Sequence, residues 1–163
     1  MSEVRLLFGR PKIKGKEAFL AALREAQDRY GCVIQAMDAS LVVGELHAAF
    51  AAEKAVRAFS DERNVAKDLG LEILRYASGQ RQIERALSVG VSEATRRVAL
   101  IVMENGKDLE ISDIIDADDG GPSWSPAAVR ETFEIGDLEI EAAGEDRIPD
   151  LVLERIALMD AYR

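Results

Sequence analysis

The chain has 163 residues, of which 48% are hydrophobic and 31% charged, and its formal net charge is −9. These values fit a soluble globular protein of one domain spanning residues 1–163. No apolar run approaches the roughly 20 residues that a membrane helix needs, and the first residues lack the apolar stretch of a secretory signal. Cys32 is the single cysteine, which excludes an intramolecular disulfide and favours a cytoplasmic location.

The charge is unevenly distributed along the chain. Residues 1–53 carry a net charge of 0, residues 54–97 a net charge of +3, and residues 98–163 a net charge of −12. The strong overall acidity argues against a generic nucleic-acid binder. A basic central window instead favours a face reserved for an anionic partner, although a merely solvated acidic third is the simpler alternative.

Hydrophobic spacing predicts the elements of the first half. Val4–Phe8 is short and apolar, and we expect it to form a strand. Residues 15–30 have the spacing of a helix that ends at Gly31, and Cys32–Met37 follows as a mostly buried strand. The alanine-rich segment Glu45–Phe59 predicts a helix whose small side chains allow another helix to approach closely.

In the second half, the pattern predicts helices at Val65–Ser78 and Gln80–Val89 and a central strand at Arg97–Met103. The signal then weakens. Three isoleucines suggest a short helix, Asp116–Pro126 is expected to be a loop, and Ser125-Pro126 opens a further helix. The isoleucines are Ile111, Ile114 and Ile115.

A final helix is predicted at Asp150–Arg163. The whole pattern indicates a mixed α/β (α+β) domain, in which a small, largely antiparallel sheet of three to four strands packs with six or more helices. The pattern fixes neither the strand order nor the oligomeric state.

Motifs for common catalytic chemistry are absent from the sequence. It contains no phosphate-binding P-loop, no dinucleotide-binding glycine motif after a strand, and no HExxH zinc motif. His47, the only histidine, is expected to be a hydrogen-bonded structural residue. The acidic residues 116–119 lack the alternate spacing of a calcium loop. We therefore predict no catalytic residue, no metal site and no cofactor.

Two glutamates keep an alternative open. Glu53 and Glu72 lie in apolar helical stretches, where a half-buried carboxylate can serve as a general acid. Each has an arginine at helical spacing, Arg57 and Arg75, so a satisfied ion pair is the better interpretation. The alternative is a small-molecule enzyme or ligand-binding α/β domain, with a pocket that converges on Glu53, Glu72 and His47.

The segment Leu71–Val91 has a polar helix junction at Ser78-Gly79 where apolar residues would be ordinary. Its pattern LExLxYxSGxRQIxxA resembles the small kinase-binding subunit of the KEOPS complex, the TPRKB family and its archaeal relatives. The resemblance continues into the alanine-rich helix, the GPSWSP loop and the closing EDRIPDLVLERIALMDA, and so spans most of residues 15–162.

This resemblance implies a non-catalytic accessory subunit. Such a subunit binds the N-terminal lobe of a small Bud-type kinase and captures tRNA, chiefly through its single-stranded 3′ CCA end, for threonylcarbamoyl-adenosine modification. The chemistry belongs to the Kae-type catalytic subunit, which this chain would meet only indirectly. The lack of a long apolar run also predicts that no membrane is among the partners.

Side chains around the junction fit an RNA end in part. Proteins bind single strands by stacking bases on aromatic rings or guanidinium planes and by cationic contacts to phosphate. The predicted tRNA-binding residues are Lys67, Arg75, Tyr76, Arg81, Gln82 and Arg85, and Arg63, Arg96 and Arg97 would extend the surface. In the alternative, Arg81 and Gln82 only brace the turn and Tyr76 belongs to the core.

The final helix is the predicted kinase contact, because its apolar arc is too wide for one face to cover. The predicted contact residues are Leu151, Ile156, Leu158 and Tyr162. Two alternatives remain open: the helix packs wholly on its own domain, or the protein is a structural adaptor without an RNA role.

Overall fold

The computed structural model describes residues 3–87, 89–104 and 108–161. A four-stranded antiparallel sheet forms its centre. In chain order the strands are β1 (Val4–Pro11), β2 (Cys32–Asp38), β3 (Val98–Glu104) and β4 (Ile115–Asp118), and their order across the sheet is β2-β3-β1-β4.

Helices cover both faces of this sheet. In the described part of the chain they are α1 (Lys16–Tyr30), α2 (Glu45–Ser60), α3 (Leu69–Ser78), α4 (Ile83–Leu87), α5 (Pro126–Thr132), α6 (Asp137–Ala143) and α7 (Ile148–Leu158). The predicted mixed α/β class with a small antiparallel sheet is confirmed. No helix among the residues that the structure describes is both long and apolar enough to span a bilayer.

Strand β3 contributes side chains to both hydrophobic core layers, one on each face of the sheet. Its side chains alternate between the two faces of the sheet, as in any strand, and both sets are buried. Val98, Leu100 and Val102 pack with residues of α1, including Phe19. Ala99, Ile101 and Met103 pack on the other face with α2, α3 and α7. A strand that is buried on both faces explains the continuous apolar run in the sequence.

The alanines of α2 allow α3 to pack closely against it. Ala48, Ala51, Ala52 and Ala55 are fully or almost fully buried, as the small-residue pattern predicted. Helix α3 packs against α2, and both belong to the same core layer as α7. This layer positions the junction after α3 beside the end of α7.

Two predicted helices are shorter than their sequence pattern suggested. Helix α3 begins at Leu69 rather than Val65, because the Asp68 side chain caps it and accepts the Leu71 N–H at 2.8 Å. Helix α4 spans Ile83–Leu87 rather than Gln80–Val89. The polar residues 80–82 therefore lie in the connection between α3 and α4.

The predicted short helix at Ile111–Ile115 is wrong. This segment forms a turn, in which the Ile114 and Ile115 N–H groups both donate to the Ile111 carbonyl, and then enters β4. The predicted loop 116–126 is accordingly wrong over Asp116–Asp118. Only Ile115 of this edge strand is buried, so its side chains show no alternation that could have revealed it.

The remaining boundaries agree within a few residues. Ser125 caps α5 by accepting the Ala128 N–H at 3.2 Å, with Pro126 in the first turn, as predicted. The final helix is α7, which begins two residues before Asp150 and ends at Leu158 instead of continuing to Arg163.

Candidate functional site

The polar junction begins at a left-handed helix end. Gly79 has φ 70° and its N–H donates to the Tyr76 carbonyl at 3.0 Å, while the Gln80 N–H donates to the Arg75 carbonyl at 3.3 Å. A Cβ atom on residue 79 would lie 3.3 Å from the Phe133 ring. The turn therefore requires glycine, and it directs the polar residues that follow towards the end of α7.

A surface groove, which we call the junction groove, lies where this connection meets α7. Its volume is about 400 Å³. A second groove of about 380 Å³ adjoins it and shares Gln80 and Arg85. The junction groove is lined by Gly79, Gln80, Arg81, Gln82, Arg85, Arg155, Leu158 and Met159. It thus combines arginines and amides with an apolar wall, and three predicted RNA-binding residues line it.

Arg81 braces the end of α7. Its Nε donates to the Met159 carbonyl at 3.2 Å and its Nη2 to the Leu158 carbonyl at 3.3 Å. The last carbonyls of a helix lack partners within it and carry partial negative charge, so a guanidinium there is stabilising. Arg81 therefore makes bracing contacts, to the end of α7 rather than within the turn, and its side chain remains exposed in the groove.

Arg75 is an interior residue rather than a surface one. Its Nε and Nη2 donate to the two carboxylate oxygens of Glu72 at 2.8 and 3.1 Å, and its Nη1 donates to the Arg81 carbonyl at 3.2 Å. Glu72 is completely buried and also accepts the N–H groups of Val65 and Ala66. The expected ion pair is present, but Arg75 is only 5% exposed, which corrects its prediction as an RNA contact.

Tyr76 is likewise inside the molecule. Its ring has no exposed surface, and its hydroxyl donates to the Asp160 carboxylate at 2.8 Å. Burial and this acceptor raise the pKa of the Tyr76 hydroxyl above its usual value. Arg63 and Lys54 contact the same carboxylate at 3.4 and 3.5 Å. Tyr76 therefore belongs to the core, and its prediction as a stacking platform is corrected.

Among the other predicted cations, only Arg85 lines the junction groove. Lys67 is exposed but precedes α3, so the length of that helix, roughly 15 Å, separates it from Gly79. Arg97 pairs with Asp118 at 2.6 Å on the sheet. The junction groove therefore retains Arg81, Gln82 and Arg85 from the predicted RNA-binding set.

The four predicted kinase contacts have different environments. Ile156 is completely buried in the core, which corrects its prediction as a surface contact. Leu151 is partly buried against the same core. Leu158 is 43% exposed and lines the junction groove. Tyr162 lies outside the described residues. The exposed part of the predicted α7 contact is therefore centred on Leu158.

Comparison with known protein families identifies the family of this chain. The sequence model of the family "Kinase binding protein CGI-121" matches residues 13–160. The chain belongs to this family. No curated protein sequence matches it significantly. The family match confirms the resemblance drawn from the Leu71–Val91 pattern, and its description makes this a kinase-binding family.

Within this family member, the residues of the alternative enzyme pocket do not converge. His47 Nδ1 accepts the Val43 N–H at 3.1 Å, so its Nε2 carries the proton that contacts the Ala77 carbonyl at 2.8 Å. Glu53 is exposed on α2 and paired with Arg57 at 3.1 Å. Glu72 is committed to Arg75. Each of these three side chains has its own hydrogen-bond or ion-pair partners, which removes the support for the alternative of a shared small-molecule pocket.

Sequence reasoning did not identify Gln80, Arg155 and Met159 as groove residues. Arg155 donates to the Phe133 and Glu134 carbonyls at 2.6 and 3.2 Å and also pairs with Glu139. It joins α7 to the segment before α6, which is a long-range contact without a sequence signal. Among the described residues, no cluster of His, Cys, Asp and Glu is arranged to hold a metal ion.

Proposed function

We propose that this chain is a non-catalytic accessory subunit of a KEOPS-type complex. In this role it binds the N-terminal lobe of a Bud-type kinase and recruits tRNA through its 3′ CCA end. The modification itself, threonylcarbamoylation of adenosine, belongs to a Kae-type catalytic subunit. Membership in a kinase-binding family carries the kinase part of the proposal.

The junction groove supports the RNA part. It offers two guanidinium groups, Arg81 and Arg85, and two amides, Gln80 and Gln82, beside an apolar wall. Guanidinium planes and apolar surfaces accept unstacked bases, cations attract phosphate, and amides can hydrogen-bond to base edges. Among the described residues that line the groove there is no aromatic ring, so bases would stack there on guanidinium planes.

The charge of the site sets the expected strength of RNA binding. A basic window of only +3 in a chain of −9 predicts modest affinity that falls as the salt concentration rises. Such affinity suits a subunit that acts together with the other subunits of a complex. Binding must therefore be compared at one fixed salt concentration.

Arg85→Glu is the sharper test of the RNA part, since Arg81 also braces α7. We expect this variant to bind tRNA about tenfold more weakly, because one cation is lost and an anion is added. Arg29→Glu is the matched control: it changes the net charge equally at an exposed position on α1. Fluorescence anisotropy with tRNA bearing or lacking CCA measures both. Equal affinity of the wild-type protein for the two tRNAs would exclude recognition of the CCA end.

The proposed kinase surface is the exposed end of α7. Leu158→Glu places a charge in the contact and should abolish co-purification with the Bud-type kinase. Leu138→Glu is the matched control, because Leu138 is 81% exposed on α6. If the Leu158 variant is folded and still elutes with the kinase, the kinase binds elsewhere; loss only in the Leu138 variant would place it at α6.

A further inference from the structure

The outer side of strand β1 is only half covered by its neighbour. Strand β4 pairs with Phe8–Pro11 alone, whereas β3 pairs with β1 from its first residue onwards. After β4 the chain turns back towards Arg97, whose Nη2 donates to the Gly121 carbonyl at 2.7 Å. Among the described residues, no strand pairs with the outer side of Val4–Leu7. We call this segment the open edge.

The hydrogen-bond pattern shows which main-chain groups of the open edge face outward. In an antiparallel ladder, alternate residues direct both their N–H and their C=O group to the same side of the strand. The Lys12 N–H donates to the Ile114 carbonyl at 2.8 Å, in register with the pairing of β1 and β4. The even-numbered residues of β1 therefore face the β4 side. Val4 and Leu6 thus direct their N–H and C=O groups outward, beyond the end of β4.

The other edges of the sheet are protected against further strands. On β2, the side-chain amides of Gln27 and Gln35 bond to main-chain groups of Ile34 and Ala36, both at 3.0 Å. Strand β4 has only four residues, of which two are aspartates. Natural sheets block their edges in such ways, because unpaired edges attract additional strands. At the open edge, the described residues provide no comparable bond to the outward main-chain groups.

A largely apolar groove runs beside the open edge. Its volume is about 470 Å³, and it lies between β1 and the first turns of α2. Val4 and Leu6 line it from the sheet, and Leu46, which is 73% exposed, lines it from α2. Side chains of a strand added at this edge would alternate between the two faces of the sheet. Every second one would therefore reach this apolar surface.

The charge of the open edge indicates which kind of strand fits it. Arg5 is its one charged residue. If a second copy of this chain paired Val4 with Leu6 in both directions, its own Arg5 would lie directly opposite. Like charges opposite each other in a ladder are destabilising and opposite charges are stabilising, whatever other contacts Arg5 makes within the protein. An acidic residue between two apolar ones is therefore the complementary sequence.

We propose that the open edge is a docking site for an extended segment of another protein, in which an acidic residue stands between two apolar residues. The segment joins the sheet as an additional antiparallel strand, and its main chain bonds to the outward groups of Val4 and Leu6. Its apolar side chains lie opposite these two residues, and its carboxylate lies opposite Arg5. This site uses neither the junction groove nor Leu158, so it is independent of the proposed function.

The test uses the acetylated and amidated peptide Ser-Val-Glu-Val-Ser and follows amide hydrogen exchange of the full-length chain by NMR. In the free protein, the outward Leu6 amide should exchange faster than the Leu7 amide, which bonds to β3. At ten times the dissociation constant about 90% of the chain is bound, so exchange at Leu6 should slow about tenfold. A protected Leu6 amide in the free protein, or no saturable effect of the peptide, would overturn the proposal.

Two control peptides test the two parts of the recognition. N-methylation of both valines keeps their side chains but removes the main-chain donors, and it should abolish the slowing at Leu6. Lysine in place of the glutamate should weaken binding about fivefold. Undiminished binding of the N-methylated peptide would refute strand addition, and undiminished binding of the lysine peptide would refute the acidic position.

Val4→Pro blocks the edge from the side of the protein. Proline lacks the outward N–H, and edge strands accept it where that group faces away from the sheet. We expect about tenfold weaker peptide binding, whereas Val4→Ala, which keeps the N–H, should lose about twofold. Equal affinities of the two variants would contradict the proposal. Sedimentation should show a monomeric wild-type chain; a dimer that Val4→Pro dissociates would make a second copy the occupant and overturn the choice of partner.

Discussion

The two sides of the Gly79 turn contain similar residues with opposite environments. Before the turn, Glu72, Arg75 and Tyr76 are at most 5% exposed, and their polar atoms form hydrogen bonds inside the protein. After it, Arg81 and Gln82 are exposed and line a groove. The sequence alone makes Arg75 and Arg81 look equivalent. This difference shows that the buried residues before the turn fix the position of the exposed residues after it.

The largest effect is expected from a substitution that breaks the buried ion pair before the turn. Arg75→Ala leaves the Glu72 carboxylate in the interior without its cationic partner, and we expect the free energy of unfolding to fall by about 3–5 kcal/mol. Arg57→Ala is the control, since the exposed Glu53–Arg57 pair has the same chemistry and should contribute less than about 1 kcal/mol. Urea unfolding measures both; similar losses would contradict the assigned difference in burial.

The second prediction concerns His47 on the buried side. Burial lowers its pKa from 6.5 to about 4. Between these values the unfolded chain binds a proton at His47 that the folded chain does not, so stability falls as the pH falls. The contribution lost by pH 4 is about 3 kcal/mol. His47→Gln, which keeps both a donor and an acceptor, should show a smaller pH slope in urea unfolding; equal slopes would refute the shift.

The turn between the two halves should have an intermediate effect. Gly79→Ala forces alanine into a left-handed conformation and against Phe133, with an expected loss of about 1–2 kcal/mol. Gly31→Ala is the control: its φ is 62°, but a Cβ there meets no atom within 4 Å. Thermal unfolding should place Gly79→Ala below Gly31→Ala. The reverse order would show that the Phe133 contact is unimportant.

The smallest effect is expected on the exposed side. Gln82→Ala should change the free energy of unfolding by no more than about 0.5 kcal/mol. Ser78→Ala is its matched control across the turn, because the buried Ser78 hydroxyl donates to the Arg75 carbonyl at 2.8 Å. Its loss should cost about 1 kcal/mol or more. If Gln82→Ala destabilises as much as Ser78→Ala, Gln82 supports the fold rather than a ligand.

Much of the fold follows from local patterns. Strand β1 was expected to end at Phe8 but continues to Pro11. The strands β2 and β3 and helices α1 and α2 are bounded by clear changes in hydrophobic periodicity and by glycine or turn signals, and they were predicted closely. Strand β4 and helix α6 were not. The first shows one buried residue and the second none, so neither produces a periodic apolar signal.

The candidate site was predictable in location but not in detail. The polar junction, the glycine turn and the family pattern pointed to the segment that lines the junction groove. Which side chains face outward depends on contacts between residues far apart in sequence. The Asp160 carboxylate accepts a hydrogen bond from Tyr76, and the carbonyls of Leu158 and Met159 accept hydrogen bonds from Arg81. No local pattern near residue 76 or 81 contains that information.

The Asp160 contacts have a consequence for local opening. One carboxylate joins Lys54 on α2, Arg63 after it and Tyr76 on α3, so the end of the described chain is tied to its middle. Amide protons of α2, α3 and α7 should therefore exchange with solvent through one shared opening of similar free energy. Helix α6, which buries no residue, should exchange independently and much faster.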